Sequence, residues 1–410
     1  MLGEYSTETL AVILATSDGS DLKPLADRRA CAAMPFGGSY RIIDFALTNC
    51  LHSGVRRTMV LTQYHSLSLQ NHLRDGWSIF NTELGEFITP VTPPISPDET
   101  SVYTSPGSAL FRNLYLFQGV TEQNILVISG EQIYRMDYAA MLRFHIDKGA
   151  DVTIAAVDRE DINGAEFDAE LRCEIDKVVA INRFNRENLD EKSRLPMGVY
   201  AFSRDYLIEI LQRAGADGVK AVDIDGLVMN HQAPDDTISV YEFGGSVGRV
   251  SQDRYWRQLD SLDHYYQANM DLLELDPRLD LYQVSWPIRT HQTQRPPART
   301  VPGRSDNEGI CVNSIVSGGT VIAGGGVNHS VLGNRVYIDD GATVEESILF
   351  SDVRVGEGAQ LRRCICDRGV VIPAGEQIGF DAAIDRKRFH VTDEGVVVIP
   401  VDHVFEAPES

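Results

Sequence analysis

The stretch Leu10-Ala11-Val12-Ile13-Leu14-Ala15, running straight into Thr16-Ser17-Asp18-Gly19-Ser20-Asp21-Leu22, decides the fold of the N-terminal part of the chain. An apolar run without a polar break reads as a strand buried on both faces, as in a parallel sheet. The turn that follows such a strand is where α/β proteins offer backbone N–H groups and basic side chains to phosphate. This turn instead carries Asp18 and Asp21. Two like charges about 4 Å apart repel by roughly 1 kcal/mol in water and by several times that in a partly dry site. The place suits a phosphate; the charges do not.

Working outward, Arg57–Thr62, Asn124–Ser129 and Val152–Val157 are further short runs rich in Val and Ile. In Arg41–Gly54, the apolar residues Ile42, Ile43, Ala46, Leu47, Cys50 and Leu51 recur at helical spacing, and Gly54 stops the helix. Alternating strands and helices predict a Rossmann-like α/β domain over residues 1–285, with a mostly parallel sheet covered by helices on both faces. Thr89–Glu99, with four prolines, reads as a loop.

The polar, Pro- and Gly-rich stretch around His291–Gly309 reads as a linker, bounded at 286–310. Beyond it, over 311–410, aliphatic residues recur every six positions: Ile315, Val321, Val327; Ile338, Val344; Val355, Leu361; Ile372, Ile378. This period predicts a left-handed parallel β-helix of hexapeptide repeats, each repeat forming one flat side of a triangular coil. A glycine-rich sandwich would show period two and hairpin signals, which are weak here.

The bulk numbers narrow the function. The 410 residues, 43% hydrophobic and 23% charged, suit a globular protein with two full cores. A net charge of −22 argues against nucleic acid or an anionic membrane as a partner. A local basic pocket for a small phosphorylated ligand remains compatible with it. No apolar run reaches the ~18–20 residues of a membrane span, and Glu4 and Glu8 stand where a signal peptide is basic, so a cytoplasmic location is expected. The six cysteines are scattered, which suits reduced thiols. Cys364-Ile365-Cys366 reads as strand rather than as half of a zinc site.

Several strings carry a specific resemblance. They are Phe36-Gly37-Gly38 with Arg41-Ile42-Ile43-Asp44-Phe45-Ala46-Leu47, then Thr62-Gln63-Tyr64 and His72 through Gly76-Trp77. Pro196-Met197-Gly198-Val199-Tyr200, Tyr255-Trp256-Arg257 and Trp286-Pro287-Ile288-Arg289-Thr290 continue it, as do Val312–Gly319 and Leu361-Arg362-Arg363-Cys364. Together they resemble bacterial ADP-glucose pyrophosphorylase, the glucose-1-phosphate adenylyltransferase family, over nearly the whole chain. The resemblance implies a reaction joining ATP and glucose 1-phosphate into ADP-glucose and pyrophosphate. That is an in-line transfer in which basic residues and aspartate-held Mg²⁺ neutralise the phosphates.

The chain departs from the family pattern at five places that serve this chemistry. The family loop G-G-x-G-x-R-L has Thr16 and Ser17 for its paired glycines and Asp21 for its arginine, while Gly19 and Leu22 remain. The K-P-A segment is Cys31-Ala32-Ala33, without the lysine. The G-T-A-D-A segment is Ser105-Pro106-Gly107-Ser108-Ala109. The metal aspartates are replaced by Glu131 and Gln258, and F-V-E-K-P has Phe184 at its lysine. Each loss has a possible substitute. Glu131 can hold Mg²⁺; Asp260 would share a face with Gln258 if that segment is a strand; Arg183 neighbours the lost lysine. Five losses together imply a chain that is inactive or strongly impaired on its own.

Other implied features are kept. The family's regulatory anion site, for a phosphorylated metabolite or nucleotide, maps onto Arg29, Arg41 and Arg368, with Arg28 at a lysine position. Pro35 replaces a histidine there, and Val401 a basic residue. Gln63 and Trp77 lie in stretches that the family uses to couple regulation to catalysis. The expectation is a non-catalytic regulatory subunit, in a hetero-tetramer with a catalytic homologue or in a homo-tetramer. The alternatives are an active adenylyltransferase using Mg²⁺ and a stand-alone sugar-phosphate or nucleotide sensor. An acyltransferase using His329 carries little weight, since a lone loop histidine is ordinarily structural.

Overall fold

The protein is described by a computed structural model covering residues 8–94, 102–158, 167, 169–185, 189–216, 222–245, 248–250 and 253–405. The N-terminal domain is built on nine strands: β1 (Thr9–Ala15), β2 (Arg57–Thr62), β3 (Phe87–Val91), β4 (Asn124–Ser129), β5 (Val152–Asp158), β6 (Ala169–Glu174), β7 (Lys177–Arg183), β8 (Ser193–Ser203) and β9 (Ile238–Glu242). Their spatial order is β3-β2-β1-β4-β8-β5-β9-β7-β6.

The half containing β1 to β4 is parallel. Antiparallel β8 enters between β4 and β5, and β7 and β6 add antiparallel pairs at the far edge. The sheet is therefore mixed rather than mostly parallel. β1 alternates as a doubly covered strand must. Ala11, Ile13 and Ala15 pack with Ile43 and Leu47 of the helix Ile43–His52. Leu10, Val12 and Leu14 pack with Ala109 and Leu110 of the helix Pro106–Arg112 and with Leu207, Ile210 and Leu211 of the helix Arg204–Ala216.

The proline-rich stretch does not begin as a loop. Thr89, Pro90 and Val91 belong to β3, which lies at the sheet edge and pairs on one side only. An edge strand tolerates proline because no neighbour needs its missing N–H. Residues 95–99 of that stretch lie outside the described residues.

The C-terminal domain stacks short parallel strands into three sheets, the left-handed parallel β-helix expected from the repeat. One ladder aligns Ile322, Ile338, Val355 and Ile372, and another aligns Cys311, Val327, Val344, Leu361 and Ile378. Ile322, not Val321, is the inward residue of its coil. The first coil strand, Arg299–Val301, already pairs with Val321–Ala323, inside the stretch read as linker. Trp286 and Ile288 from the same stretch are buried.

The two domains share a core. Leu22, Phe36, Phe45, Tyr265 and Trp286 pack in one cluster with Val331, Ile348, Phe350, Ile365 and Val398 of the β-helix. Each such side chain removed from water contributes roughly 1.5–3 kcal/mol.

Candidate functional site

β1 and β4 lie side by side, but the chain leaves them in opposite directions across the sheet. Ligands of open α/β sheets bind at such a switch point, beyond the carboxyl ends of the strands. A cavity of about 630 Å³ opens there, and a smaller one of about 220 Å³ adjoins it. They share a wall of Ser17, Ser129, Glu131, Gln132 and Gln258.

The loop after β1 closes on itself. Gly19 has φ +75°, and a Cβ there would lie 2.7 Å from the Ala26 Cβ, so the position requires glycine. The Ser17 hydroxyl accepts the Gly19 N–H at 3.1 Å, and the Asp18 carboxylate accepts the Ser20 N–H at 2.9 Å. Two N–H groups that could face a phosphate, those of Gly19 and Ser20, are thus taken by the loop's own side chains. That Ser20 contact is the main reason the Asp18 carboxyl stays below its ordinary pKa, hence ionised. Gln63 fastens the loop from the side. Its amide donates to the carbonyls of Thr16 and Tyr103, both at 3.1 Å, and its oxygen accepts the Tyr103 N–H at 2.5 Å.

Burial, reinforced by nearby Asp21 and Asp18, pushes the Glu131 carboxyl up to about 7, against opposing hydrogen bonds from Ser17. The Cys31 thiol is pushed up to about 12, by burial first and by Glu131 second, so it stands neutral where the resemblance places a lysine. The strand Trp256–Gln258 ends before Asp260, yet Asp260 still lines the smaller cavity beside Gln258. Its carboxylate is bound to the ring of His264, which raises the histidine pKa.

These donors fit Mg²⁺ only in part. Glu131 and Asp260 are two carboxylates on the smaller cavity, and among the described residues no three His, Cys, Asp or Glu side chains gather as a ligand set, so Mg²⁺ held there would take its remaining ligands from substrate phosphates and water.

The structure disperses the other expected positions. Ser108 is buried inside the helix Pro106–Arg112, and its N–H donates to the capping Ser105 hydroxyl at 3.0 Å, leaving Ser105 and Pro106 on the cavity. Phe184 packs at 5.7 Å between ring centroids on Phe167, which in turn stacks on Trp256 at 5.5 Å. Arg183 lines a separate depression with Asn182 and Met229. Asp223, the N-cap of the helix Ile224–His231, and Asp225, in its first turn, also line the large cavity. The sequence reading missed both; the only signal was Asp223 in N-cap position, where it accepts the Gly226 N–H.

A second site lies where the domains meet. Arg29 pairs with the buried Asp367 at 2.5 Å and lies 5.5 Å over the Phe350 ring. Arg41 is largely buried, and its guanidinium has no hydrogen bond or ion pair among the described residues. Burial first, then nearby Arg29 and Arg368, lowers its pKa. Arg368 and Arg335 share Asp352 at 3.2 and 2.6 Å.

Arg295, inside the stretch read as linker, joins this group. Its Nε is buried without a partner among the described residues, and burial with Arg335 and Arg368 lowers its pKa. Pro35 pairs with Arg41 across a two-strand ribbon. Arg28 forms only an exposed pair with Asp402 at 2.6 Å, worth little. Arg41 connects inward through the fully buried Asp44, which accepts the Arg41 N–H at 2.8 Å, His72 at 2.6 Å and the Trp77 indole at 2.9 Å.

The nucleotidyl transferase family matches residues 10–274, and the GlmU-like C-terminal hexapeptide family matches residues 296–399. The chain is 45% identical to "Glucose-1-phosphate adenylyltransferase 2" of Vibrio cholerae, over 97% of this chain and 99% of that one. It is 46% identical to the protein of the same name in Vibrio parahaemolyticus, over 97% and 100%. With the "Glucose-1-phosphate adenylyltransferase" of Koribacter versatilis it shares 38%, over 98% and 97%. No helix of the described residues is long and apolar enough to cross a membrane. Sheet, cavity, β-helix and relatives agree: the chain belongs to the glucose-1-phosphate adenylyltransferase family of nucleotidyl transferases.

Proposed function

We propose that this chain is a non-catalytic, regulatory subunit of a cytoplasmic glucose-1-phosphate adenylyltransferase assembly, a tetramer mixed with a catalytic homologue or made of this chain alone. One observation carries the reading. Among the described residues, the two cavities at the switch point are lined by Asp18, Asp21, Glu131, Asp223, Asp225 and Asp260, and by no lysine, arginine or histidine. A polyphosphate and a sugar phosphate would enter a field of their own sign. Each missing charged contact to a transferring phosphoryl group costs about 3–4 kcal/mol of transition-state stabilisation.

The arginines at the domain junction support the other half of the reading. Arg41 is held largely buried beside Arg29 and Arg368, its guanidinium without a partner among the described residues, and Arg295 lies near Arg335 and Arg368, an arrangement suited to a phosphorylated metabolite or nucleotide. An effector bound there would bias the assembly by about 1–3 kcal/mol, the usual scale of such coupling. ADP-glucose synthesis by the purified chain, with ATP, glucose 1-phosphate and Mg²⁺, tests the reading. Turnover within about tenfold of an ordinary family member would overturn it.

The second reading is an active adenylyltransferase. Glu131 and Asp260 favour it, because both still reach the smaller cavity, where the resemblance places the metal carboxylates.

A further inference from the structure

The chain between the two domains, residues 286–298, is a strap anchored at both ends. Its first part is tied to the α/β domain. The Trp286 indole donates to the Asn49 side-chain oxygen at 3.1 Å, and the Arg289 N–H donates to the Thr48 hydroxyl at 3.0 Å. The Arg289 guanidinium donates twice to the Gly76 carbonyl, at 3.3 and 3.2 Å, and the His291 Nδ1 donates to the Asp75 carbonyl at 3.0 Å. Those carbonyls belong to the last turn of the helix Ser66–Trp77, and the same guanidinium lies 5.9 Å over the Trp77 ring. A Cβ on Gly76 would fall 3.1 Å from the His291 nitrogen, so glycine lets the strap lie against the helix end.

The far end is tied to the β-helix. The Gly319 N–H donates to the Pro296 carbonyl at 2.7 Å, and the Arg299 N–H donates to the Thr320 carbonyl at 3.0 Å where the first coil strand begins. Between the anchors, residues 292–294 and 296–298 are exposed, and Arg295 alone is half-buried.

Arg295 turns inward without an acceptor to meet. Its Nε is buried and unpartnered among the described residues, which is costly for a guanidinium N–H. Burial and the charges of Arg335 and Arg368 all disfavour its ionised form. The carboxylate that opposes them, Asp352, is already taken: the Arg335 fork holds it at 2.6 and 2.8 Å, and Arg368 at 3.2 Å. Among the described residues, three guanidiniums thus share one carboxylate. Arg368 also acts on Arg41, so the group continues into the arginines at the domain junction. A phosphate supplies what Arg295 lacks, acceptor oxygens matched to a planar fork and negative charge for the whole group.

We infer that Arg295 binds a phosphate group together with Arg335 and Arg368, and that this contact fastens the strap between the domains. The inference rests on the reading of the junction arginines as an effector site and deepens it, by naming a segment that occupancy of that site stiffens. The strap and the Asp44 network both end on Trp77, so either brings the state of the junction to the same helix end.

Hydrogen exchange and calorimetry on the full chain test it, with inorganic pyrophosphate as the probe and sodium chloride of equal ionic strength as the control. Pyrophosphate should slow exchange of the amides of residues 292–295 by about tenfold or more, because local opening now requires its release. Arg295→Ala should weaken pyrophosphate by about tenfold, the loss expected for a charge-assisted contact, and should abolish the slowing. Without pyrophosphate, exchange in this variant should stay within about twofold of the parent. Faster exchange without the anion, together with unchanged affinity, is the pattern of a merely structural arginine and overturns the inference. If Arg295→Ala shifts the melting transition, Arg295→Lys takes its place. It keeps the charge and loses the fork, so affinity should still fall by about threefold or more, and an undiminished affinity overturns the inference.

The possible failures are distinguishable. Binding that weakens in Arg368→Ala but not in the Arg295 variants refutes the role of the strap and leaves the effector site standing. Pyrophosphate bound with no slowing of residues 292–295 does the same. No binding by the parent chain up to about 10 mM refutes the effector site and this inference together. ADP-glucose synthesis by the chain refutes only the non-catalytic reading.

Discussion

The guanidinium of Arg29 meets the carboxylate of Asp367 at 2.5 Å across the boundary between the α/β domain and the β-helix. The two residues are 338 positions apart in sequence. With 14% and 3% of their side chains exposed, the pair is largely dry. Removing one member of such a pair strands the other, at a cost of about 3–5 kcal/mol. Arg29→Ala should therefore lower the unfolding midpoint strongly, and Asp367→Asn should do so less, because it keeps an acceptor for Arg29. Equal, small shifts for both would show that the pair is not desolvated.

Arg368 tests anion binding without that complication, because 63% of its side chain is exposed. Arg368→Ala should leave the melting transition within about 0.5 kcal/mol of wild type. It should weaken the binding of pyrophosphate, used as a probe, by about tenfold, as expected for one charge-assisted bond. Calorimetry showing unchanged affinity would remove the arginine cluster from the regulatory reading.

Asp44 predicts a larger effect on stability than on any surface property. It is fully buried and accepts from His72, Trp77 and the Arg41 backbone. Asp44→Ala should cost about 3–5 kcal/mol in denaturant unfolding, since three buried donors lose their acceptor. A loss below 1 kcal/mol would mean that water replaces it.

Glu131 gives a pH signature. Its folded pKa of about 7 lies above the model-peptide value, so the folded state binds this proton more tightly than the unfolded one. Its favourable contribution is complete below the unfolded value near 4.5 and is lost as pH rises through about 7. Glu131→Gln should thus stabilise the protein by order of 2 kcal/mol at pH 8 relative to its effect at pH 4.5. Parallel stability-against-pH curves for wild type and variant would contradict the shift.

Restoring charge should restore chemistry if the altered pocket is the cause of impairment. The combination Ser17→Gly, Asp21→Arg, Cys31→Lys and Phe184→Lys puts back four of the residues that the family pattern carries, three of them basic. ADP-glucose synthesis should rise at least about a hundredfold over the parent, the usual weight of contacts to a transferring phosphoryl group. No rise in a folded variant would place the defect elsewhere.

Much of this was legible in the chain because local chemistry and tertiary placement agree. The β1 run read correctly as a strand, because its short length and β-branched residues fit a strand covered on both faces. The helix over 43–52 followed from its own periodicity. The β-helix repeat was visible too, but a two-residue strand such as Tyr337–Ile338 fixes no phase by itself. Val321 and Ile322 are equally aliphatic, and only pairing with Ile338 selects the second. Pro90 read as loop because its tolerance depends on lying at an edge, which is a property of the sheet. Asp223, Asp225, Gln132 and Arg295 gained their meaning from neighbours distant in sequence. The closing of the β1 loop by its own Ser17 and Asp18 was invisible as well, since the charges were readable but the captured N–H groups were not.

The core shared by Phe36, Phe45 and Tyr265 with Phe350, Ile365 and Val398 has a mechanical consequence. Arg29 lies over Phe350 of that seam, so under the proposed reading a ligand gripped by the arginines would not work by prising the domains apart. What can yield is the polar spine beneath Arg41, through Asp44 to His72 and Trp77. Under the proposed regulatory reading, a signal leaving the junction would travel as a change in stiffness along that spine, more like tension in a guy-rope than the swing of a hinge.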